Sequence, residues 1–260
     1  MAYTTSRYWQ LLNEKANELL TGFGYENFKR TIGLFLYNDY FYDYGTQSLP
    51  SDYNDKVRAI WDKLYSIFPE KFLDQFHEPL EGNPLVIEYR GRPVSLDLVA
   101  TISEYARLTQ YIDFNTIHTI HEIGAGYGRI PYILTQLYPK LSYKIFDVEP
   151  SLSLAKKYLG SVLPNNKIEF YSPEQLSGKC DILLAMDCLH EMTREHVESY
   201  FDYANHNASY FYYSCWKDTY INEDNITWKK EDYPARESWT PLFVGQHHMR
   251  SDFFEAMYKI

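Results

Sequence analysis

Cysteine is scarce: the 260 residues hold three, Cys180, Cys188 and Cys215, with no CxxC spacing. That argues against a zinc ribbon and a disulfide framework, and it predicts reduced thiols in a cytoplasmic protein. Long apolar runs are missing as well. No stretch approaches the roughly 18 to 20 unbroken apolar residues of a bilayer crossing, so no membrane insertion is expected. The opening MAYTTSRYWQLLNEKANELL has no basic stretch ahead of an apolar one, which predicts no export signal. Positive charge is in deficit. With 25 Lys plus Arg against 35 Asp plus Glu the net charge is -10, which repels a phosphate backbone and argues against a nucleic-acid partner.

Aromatic residues, by contrast, are plentiful: 26 Tyr, 15 Phe and 5 Trp. Flat amphipathic rings suit the faces of sugars and other ringed ligands, and they equally fill cores and their boundaries. Before Asn115 the spacing is helical. Trp9, Leu12 and Ala16 recur on one face between a capping Ser6 and stops at Gly22 and Gly24. A second aromatic stretch runs from Glu26 to Tyr44 with Phe28, Ile32, Phe35 and Leu36, and a third helix from Ser51 to Phe68 is ended by Pro69. EGNPLVIEYRGRPVS predicts an extended or hairpin-like connector before a helix from Ser95 to Tyr111.

From Ile117 onward the pattern changes. Short apolar runs, TIHEIG, SYKIFDV, KIEFYS and DILLAM, alternate with helices at Ile130 to Tyr138, Leu152 to Leu159 and Arg194 to Asn205. SYFYYSCW reads as a fifth strand, and the last forty residues supply a closing pair. Such alternation implies a mostly parallel, doubly wound α/β sheet covered on both faces. The expected organisation is a mainly helical segment, residues 1–115, packed against an α/β domain, residues 116–260.

In HTIHEIGAGYGRIPYILTQLYP an apolar strand passes into Gly124, Ala125, Gly126, Tyr127 and Gly128, and then into a helix. Glycines here permit a tight turn and bring backbone close to a ligand. The spacing is GxGxG. Arg129 stands where a dinucleotide-binding loop wants its third glycine, so an NAD-dependent oxidoreductase loses ground. Glu122 ends the strand with a carboxylate, which repels a pyrophosphate and suits an amino-bearing or cationic ligand. S-adenosylmethionine carries both an amino group and a sulfonium. Asp147 ends the next strand, about 20 residues on, where open α/β folds place an acid on the ribose hydroxyls. Glu149 is the reserve, and Asp147 could instead cap the helix near Ser151. Val148 adjoins this anchor, and Ser172, Pro173 and Glu174, with Gln175, lie in the loop after the third strand, where side chains and amides could meet an adenine.

On these residues the chain resembles the class I methyltransferases, and among them the sugar O-methyltransferase family of bacterial surface-glycan and secondary-metabolite clusters. The segments that carry the likeness are NFKRTIG, GNP, EIGAGYGR, DVEPSLSLAKKYL and DCLHEM, with closing YP, W and FFEAMY elements. Cys188-Leu189 departs from the commoner Ser-Phe pair. The resemblance implies a Rossmann-like sheet with the helical N-terminal segment as a lid, S-adenosylmethionine as cofactor, and a small sugar or glycan-precursor acceptor. It also places Arg30 and Thr31 over the cofactor or acceptor pocket. Association into oligomers stays open.

Methyl transfer to a hydroxyl needs alignment and removal of a proton from a poor acid. DILLAMDCLHEMT places Asp187, His190 and Glu191 beyond the carboxyl end of the fourth strand, the edge where such sheets bind ligands. His190 is the expected base, oriented by Asp187 or Glu191, and Asp187 also borders the cofactor. Either acid could alternatively cap the helix near Thr193. A magnesium-assisted variant through Asp187 and Glu191 ranks below a metal-free base. His247 and His248, adjacent on an expected strand, would face opposite sides and so not share an ion. Tyr233 and Trp239 are expected either as an acceptor platform or as core. The intact loop and acids argue against a catalytically silent cofactor-binding module, and no NPPY-like motif points to nucleic-acid methylation.

Overall fold

The computed structural model describes residues 5–30 and 52–260. Ser6 caps α1 (Arg7–Phe23), its Oγ accepting the Trp9 amide at 3.2 Å. The second aromatic stretch opens as a 3-10 turn, Tyr25–Arg30. The rest of that stretch, with Thr31, Ile32, Phe35 and Leu36, lies outside the described residues. The third helical stretch becomes α2 (Tyr53–Tyr65) and a short α3 (Glu70–Leu73), with Pro69 standing at the N-terminus of α3. The connector forms a small antiparallel hairpin of β1 (Ile87–Tyr89) and β2 (Arg92–Val94).

Ser95 caps α4 (Leu96–Leu108) by accepting the Leu98 amide at 3.0 Å. Every residue of α4 except Arg107 is buried, Asp97 and Glu104 included. A helix enclosed on all sides must find partners for its charges within the protein. Those partners lie at the site described below.

The alternating half gives β3 (Thr119–Ile123), α5 (Arg129–Leu137), β4 (Ser142–Phe146), α6 (Ser151–Val162), β5 (Ile168–Tyr171) and β6 (Cys180–Met186). It continues with α7 (Arg194–Asn207), β7 (Ala208–Trp216), β8 (Asp218–Ile221), β9 (Ile226–Lys229), β10 (Thr240–Gln246) and β11 (Phe253–Lys259). Seven strands form one sheet in the order β10-β11-β7-β6-β3-β4-β5. Pairings from β5 across to β7 are parallel, whereas β11 is antiparallel to both its neighbours, so β11 alone opposes the common direction. The chain winds from β3 outward to β5, then returns to β6 and winds the other way. The gap between β3 and β6 is therefore the topological switch point, where doubly wound sheets hold ligands. Ile182 to Ala185 of β6 are wholly buried, as a central strand covered on both faces requires.

Sequence periodicity misses one element, the β8-β9 hairpin, whose turn carries Asn225 at φ 51°. The NEDN cluster between two short apolar runs is the signal for it. Tyr233 and Trp239 belong to a core cluster with α7, β7 and β11. Tyr233 stacks on Trp228 at 5.1 Å, and Trp239 lies parallel to Phe201 at 5.8 Å with its indole N–H donated to Asn205. Core packing, not an acceptor platform, accounts for both. Among the described residues no helix is long and apolar enough to cross a membrane.

Candidate active site at the switch point

The loop after β3 is left-handed at Gly124, Gly126 and Gly128, with φ of 68°, 59° and 93°. Gly124 is required by space as well. A Cβ there would stand 2.7 Å from Cβ of Cys188, in the loop after β6. Cys188 Sγ donates to the Ile123 carbonyl at 3.3 Å, so the two loops that flank the crevice touch. The loop's larger side chains are fastened to α4. Tyr127 donates its hydroxyl to Asp97 at 2.5 Å, and Arg129 forms a bidentate pair with Glu104 at 2.7 and 3.0 Å.

The N-terminal segment reaches the same loop. Lys29, 2% exposed, binds Glu78 at 2.5 Å and the Tyr158 hydroxyl at 3.2 Å, and its ammonium lies 5.2 Å from the Tyr127 ring centre. Phe28 packs against Gly82, where a Cβ would come within 2.3 Å of its ring. The Lys29 amide donates to Gly82, and Asn83 donates to Asn27. NFKR (residues 27–30) and GNP, distant in sequence, thus interlock. Arg30 donates to the Asn83 carbonyl at 2.6 Å and to its side chain at 3.2 Å, which places it at this turn and half-buried.

Asp147 lies buried at the end of β4, one oxygen accepting the Gly126 amide at 2.9 Å and the other the Val148 amide at 2.7 Å. It does not cap α6. The Ser153 amide is accepted by Glu149 instead, at 3.2 Å. Burial pushes Asp147 up to about 7 against the pull of those amides. Glu122 is buried too, accepts the Tyr143 hydroxyl at 2.8 Å, and is pushed by burial up to about 8, with Tyr143 and Arg129 pulling the other way. In the 3-10 turn Pro173–Gln175, Ser172 and Gln175 bond to each other, Pro173 is buried and Glu174 is exposed.

On the other side of the switch point β6 is followed by Asp187, whose φ of 58° is uncommon outside glycine and tolerated best by Asn and Asp. Its carboxylate binds Arg250 at 3.0 Å. His190 Nε2 stands 3.7 Å from Asp187 Oδ1 and 3.9 Å from Glu191 Oε1, and its buried Nδ1 has no hydrogen-bond partner. Its ring meets Trp216 and Phe253 edge-on. Burial, with Arg250 adding, holds His190 down to about 3, so the imidazole is neutral. Burial raises Asp187 to about 6 against Arg250 and Arg129, and raises Glu191 well above the carboxylate range, with Asp187 and Asp147 adding. Neither acid caps α7. Thr193 does, accepting the His196 amide. The start of α1 lies over this group: Ser6 donates to the Glu191 carbonyl at 3.0 Å. Burial, then Glu191, Glu223 and Asp187, raise the Tyr8 hydroxyl.

His247 and His248 follow β10 in a turn, not on a strand, and this corrects their expected opposition. Their rings stack at 4.5 Å, and with Glu255 they offer ligand atoms within 4.8 Å of one another. His247 Nδ1, however, accepts the Met249 and Arg250 amides at 3.1 and 3.2 Å, which removes it as a ready ligand. Sequence reasoning missed Glu255 and Arg250. A lone acid in the apolar run FFEAMY is the signal for the first, and nothing marks the second.

No family model and no curated protein matches the sequence. Solved structures do match. The PH0226 protein from Pyrococcus horikoshii aligns over 62% of this chain and 88% of its own, at 12% identity and TM-score 0.50. The StiE O-MT segment aligns over 62% and 74%, at 10% identity and TM-score 0.50. The chain has the Rossmann-like methyltransferase fold. The mitomycin 7-O-methyltransferase MmcR aligns over 62% of this chain at 12% identity and TM-score 0.47, and only 54% of that protein is covered. The chain thus spans little more than half the length of that relative.

Proposed function

We propose that the protein is an S-adenosylmethionine-dependent O-methyltransferase acting on a hydroxyl of a sugar, glycan precursor or sugar-containing small molecule. One observation carries the reading: two buried carboxylates, Glu122 and Asp147, flank a glycine loop that touches, at the switch point, the loop bearing Asp187, His190 and Glu191. A buried acid held near pKa 8 beside a left-handed glycine turn fits a ligand with an ammonium group, since a cation would relieve the cost of its ionisation. Gly124, Ala125, Gly126 and Gly128 would hold the amino-acid part with Glu122. Asp147, flanked by Val148, would take the ribose, and Ser172, Pro173 and Glu174 the adenine side. When bound, the cofactor supplies an electrophilic methyl group on a good leaving group.

The residues of the chain supply alignment and proton removal. Carboxylates gathered at Nε2 of His190 favour a proton there, leaving Nδ1 as the unprotonated nitrogen that takes the acceptor's hydroxyl proton. Asp187, held to about 6, then stabilises the imidazolium, and the Glu191 carboxyl helps to orient the ring. The helical segment, residues 1–115, acts as lid and acceptor-recognition element, supported by the contact of Ser6 with Glu191, and Arg30 braces the 82–84 turn beneath it. The test is calorimetric titration with S-adenosylhomocysteine, NAD and NADP, followed by transfer of a labelled methyl group to a panel of glycosides and phenols. Binding of S-adenosylhomocysteine alone is expected; binding of a nicotinamide dinucleotide alone would overturn the reading.

A further inference from the structure

We infer that His248, held by Glu255, is a second hydroxyl-binding residue of the acceptor pocket, its Nε2 accepting a hydrogen bond from an acceptor hydroxyl other than the one methylated. This rests on the hydroxyl-methylating function above and deepens it. The acceptor is a neutral molecule bearing several hydroxyls, not a simple phenol.

Glu255 anchors the arrangement. It is wholly buried on β11, and each oxygen is engaged: Oε1 by Arg107 Nε at 2.8 Å, Oε2 by the Tyr212 hydroxyl at 2.8 Å and by His248 Nδ1 at 3.1 Å. Burial works to raise its pKa, but hydrogen bonds from His248 and Tyr212 outweigh it and hold the Glu255 carboxyl below its ordinary range. A carboxylate only accepts, so the ring carries hydrogen at Nδ1, the tautomer that leaves Nε2 to face a ligand. That atom is buried and has no hydrogen-bond partner. A buried acceptor with no donor is costly in a folded protein and marks a place where a ligand can supply one.

The dyad stands at the level of the reacting groups. Glu255 pairs with Ser214 of β7, which pairs in turn with Met186 at the end of β6 and accepts the Asp187 amide at 2.9 Å. A run of ring contacts connects it to the expected base: His248 on His247 at 4.5 Å, His247 to Phe253 at 6.0 Å, and Phe253 to His190 at 5.8 Å. The two histidines of interest are thus linked through two intervening rings. Charge decides the ligand's class. Glu255 faces Arg107, Asp187 faces Arg250 and Glu104 faces Arg129, so these three acids are already paired. A metal ion would add unbalanced positive charge and would compete with the amides on His247 Nδ1. A hydroxyl donor adds none.

Two measurements test this. In 15N spectra of histidine-labelled protein, with His248 assigned from His248→Gln, the Nδ1–H tautomer is expected and should be lost in Glu255→Gln. An Nε2–H tautomer in the wild type overturns the inference, whether or not any acceptor turns over. In methyl transfer to a panel of methyl glycosides, cyclitols and monohydroxy phenols, His248→Phe should raise KM for the polyols about tenfold or more, with kcat and S-adenosylhomocysteine affinity within about twofold. His248→Gln, which keeps an acceptor oxygen, should recover most of the loss. Wild-type KM in folded His248→Phe, or methylation of monohydroxy phenols alone, refutes it. Failure of the wild type to bind S-adenosylhomocysteine would strike the cofactor reading instead, so the two failures are separable.

Discussion

Asp147 accepts the Gly126 amide at 2.9 Å, tying the end of one parallel strand to the loop that follows its neighbour. The same carboxylate is therefore a brace for the glycine turn as well as the expected ribose ligand. Asp147→Ala should weaken S-adenosylhomocysteine binding by about tenfold or more, the scale of a charge-assisted hydrogen bond, and also lower the melting temperature. Asp147→Asn keeps one acceptor oxygen and should lose less of both. Calorimetry and thermal unfolding on the two variants check this; unchanged affinity in both would move the ribose role to Glu149 or remove it.

Gly126 has φ of 59°, a conformation that a β-branched side chain adopts only under strain. Gly126→Val is expected to fold with a distorted turn and to lose measurable cofactor binding. Undiminished affinity by calorimetry in a folded variant would remove the loop from the site.

Protons should accompany binding. Glu122, pushed up to about 8, is largely protonated at neutral pH in the free protein, and an ammonium placed beside it favours the carboxylate. Titration of S-adenosylhomocysteine near pH 7.5 in buffers of differing ionisation enthalpy should report proton release, and Glu122→Gln should abolish it. The same shift has a stability counterpart. A carboxyl whose folded pKa lies above its unfolded value stabilises most below about 4.5, and that contribution is lost as pH rises toward 8. Melting temperatures of Glu122→Gln should therefore fall less over that range than those of the wild type.

Removal of a general base costs on the order of 10²- to 10⁴-fold in rate. His190→Ala should lower turnover by that range at saturating acceptor while S-adenosylhomocysteine affinity stays nearly constant. Because burial holds the imidazole down to about 3, the rate should lack an ionisation near 6.5 assignable to this residue. Wild-type turnover in His190→Ala would sink the assignment.

Much of this was legible in the sequence. Local patterns dictated the strands around TIHEIG and DILLAM, the caps at Ser6 and Ser95, and the placing of Asp187, His190 and Glu191 at one sheet edge. What escaped were relations made only by tertiary packing. No spacing rule joins Lys29 to Glu78 or Arg250 to Asp187, because each pair meets through elements far apart in the chain. His247 and His248 depart from the expected opposition for a local reason: the strand ends at Gln246, and a turn lets adjacent side chains converge where strand alternation would separate them.

The enclosure of α4 bears on any attempt to transplant this catalytic core. Its Asp97, Glu104 and Arg107 reach Tyr127, Arg129 and Glu255, three points spread from the glycine turn to the antiparallel strand. A graft cut at Asn115 would carry the sheet into a new host but abandon all three fastenings, exposing an arginine and a glutamate evolved for a dry interior. The portable unit therefore begins no later than Ser95, and chimeras that respect this boundary should retain the loop's shape where shorter ones collapse.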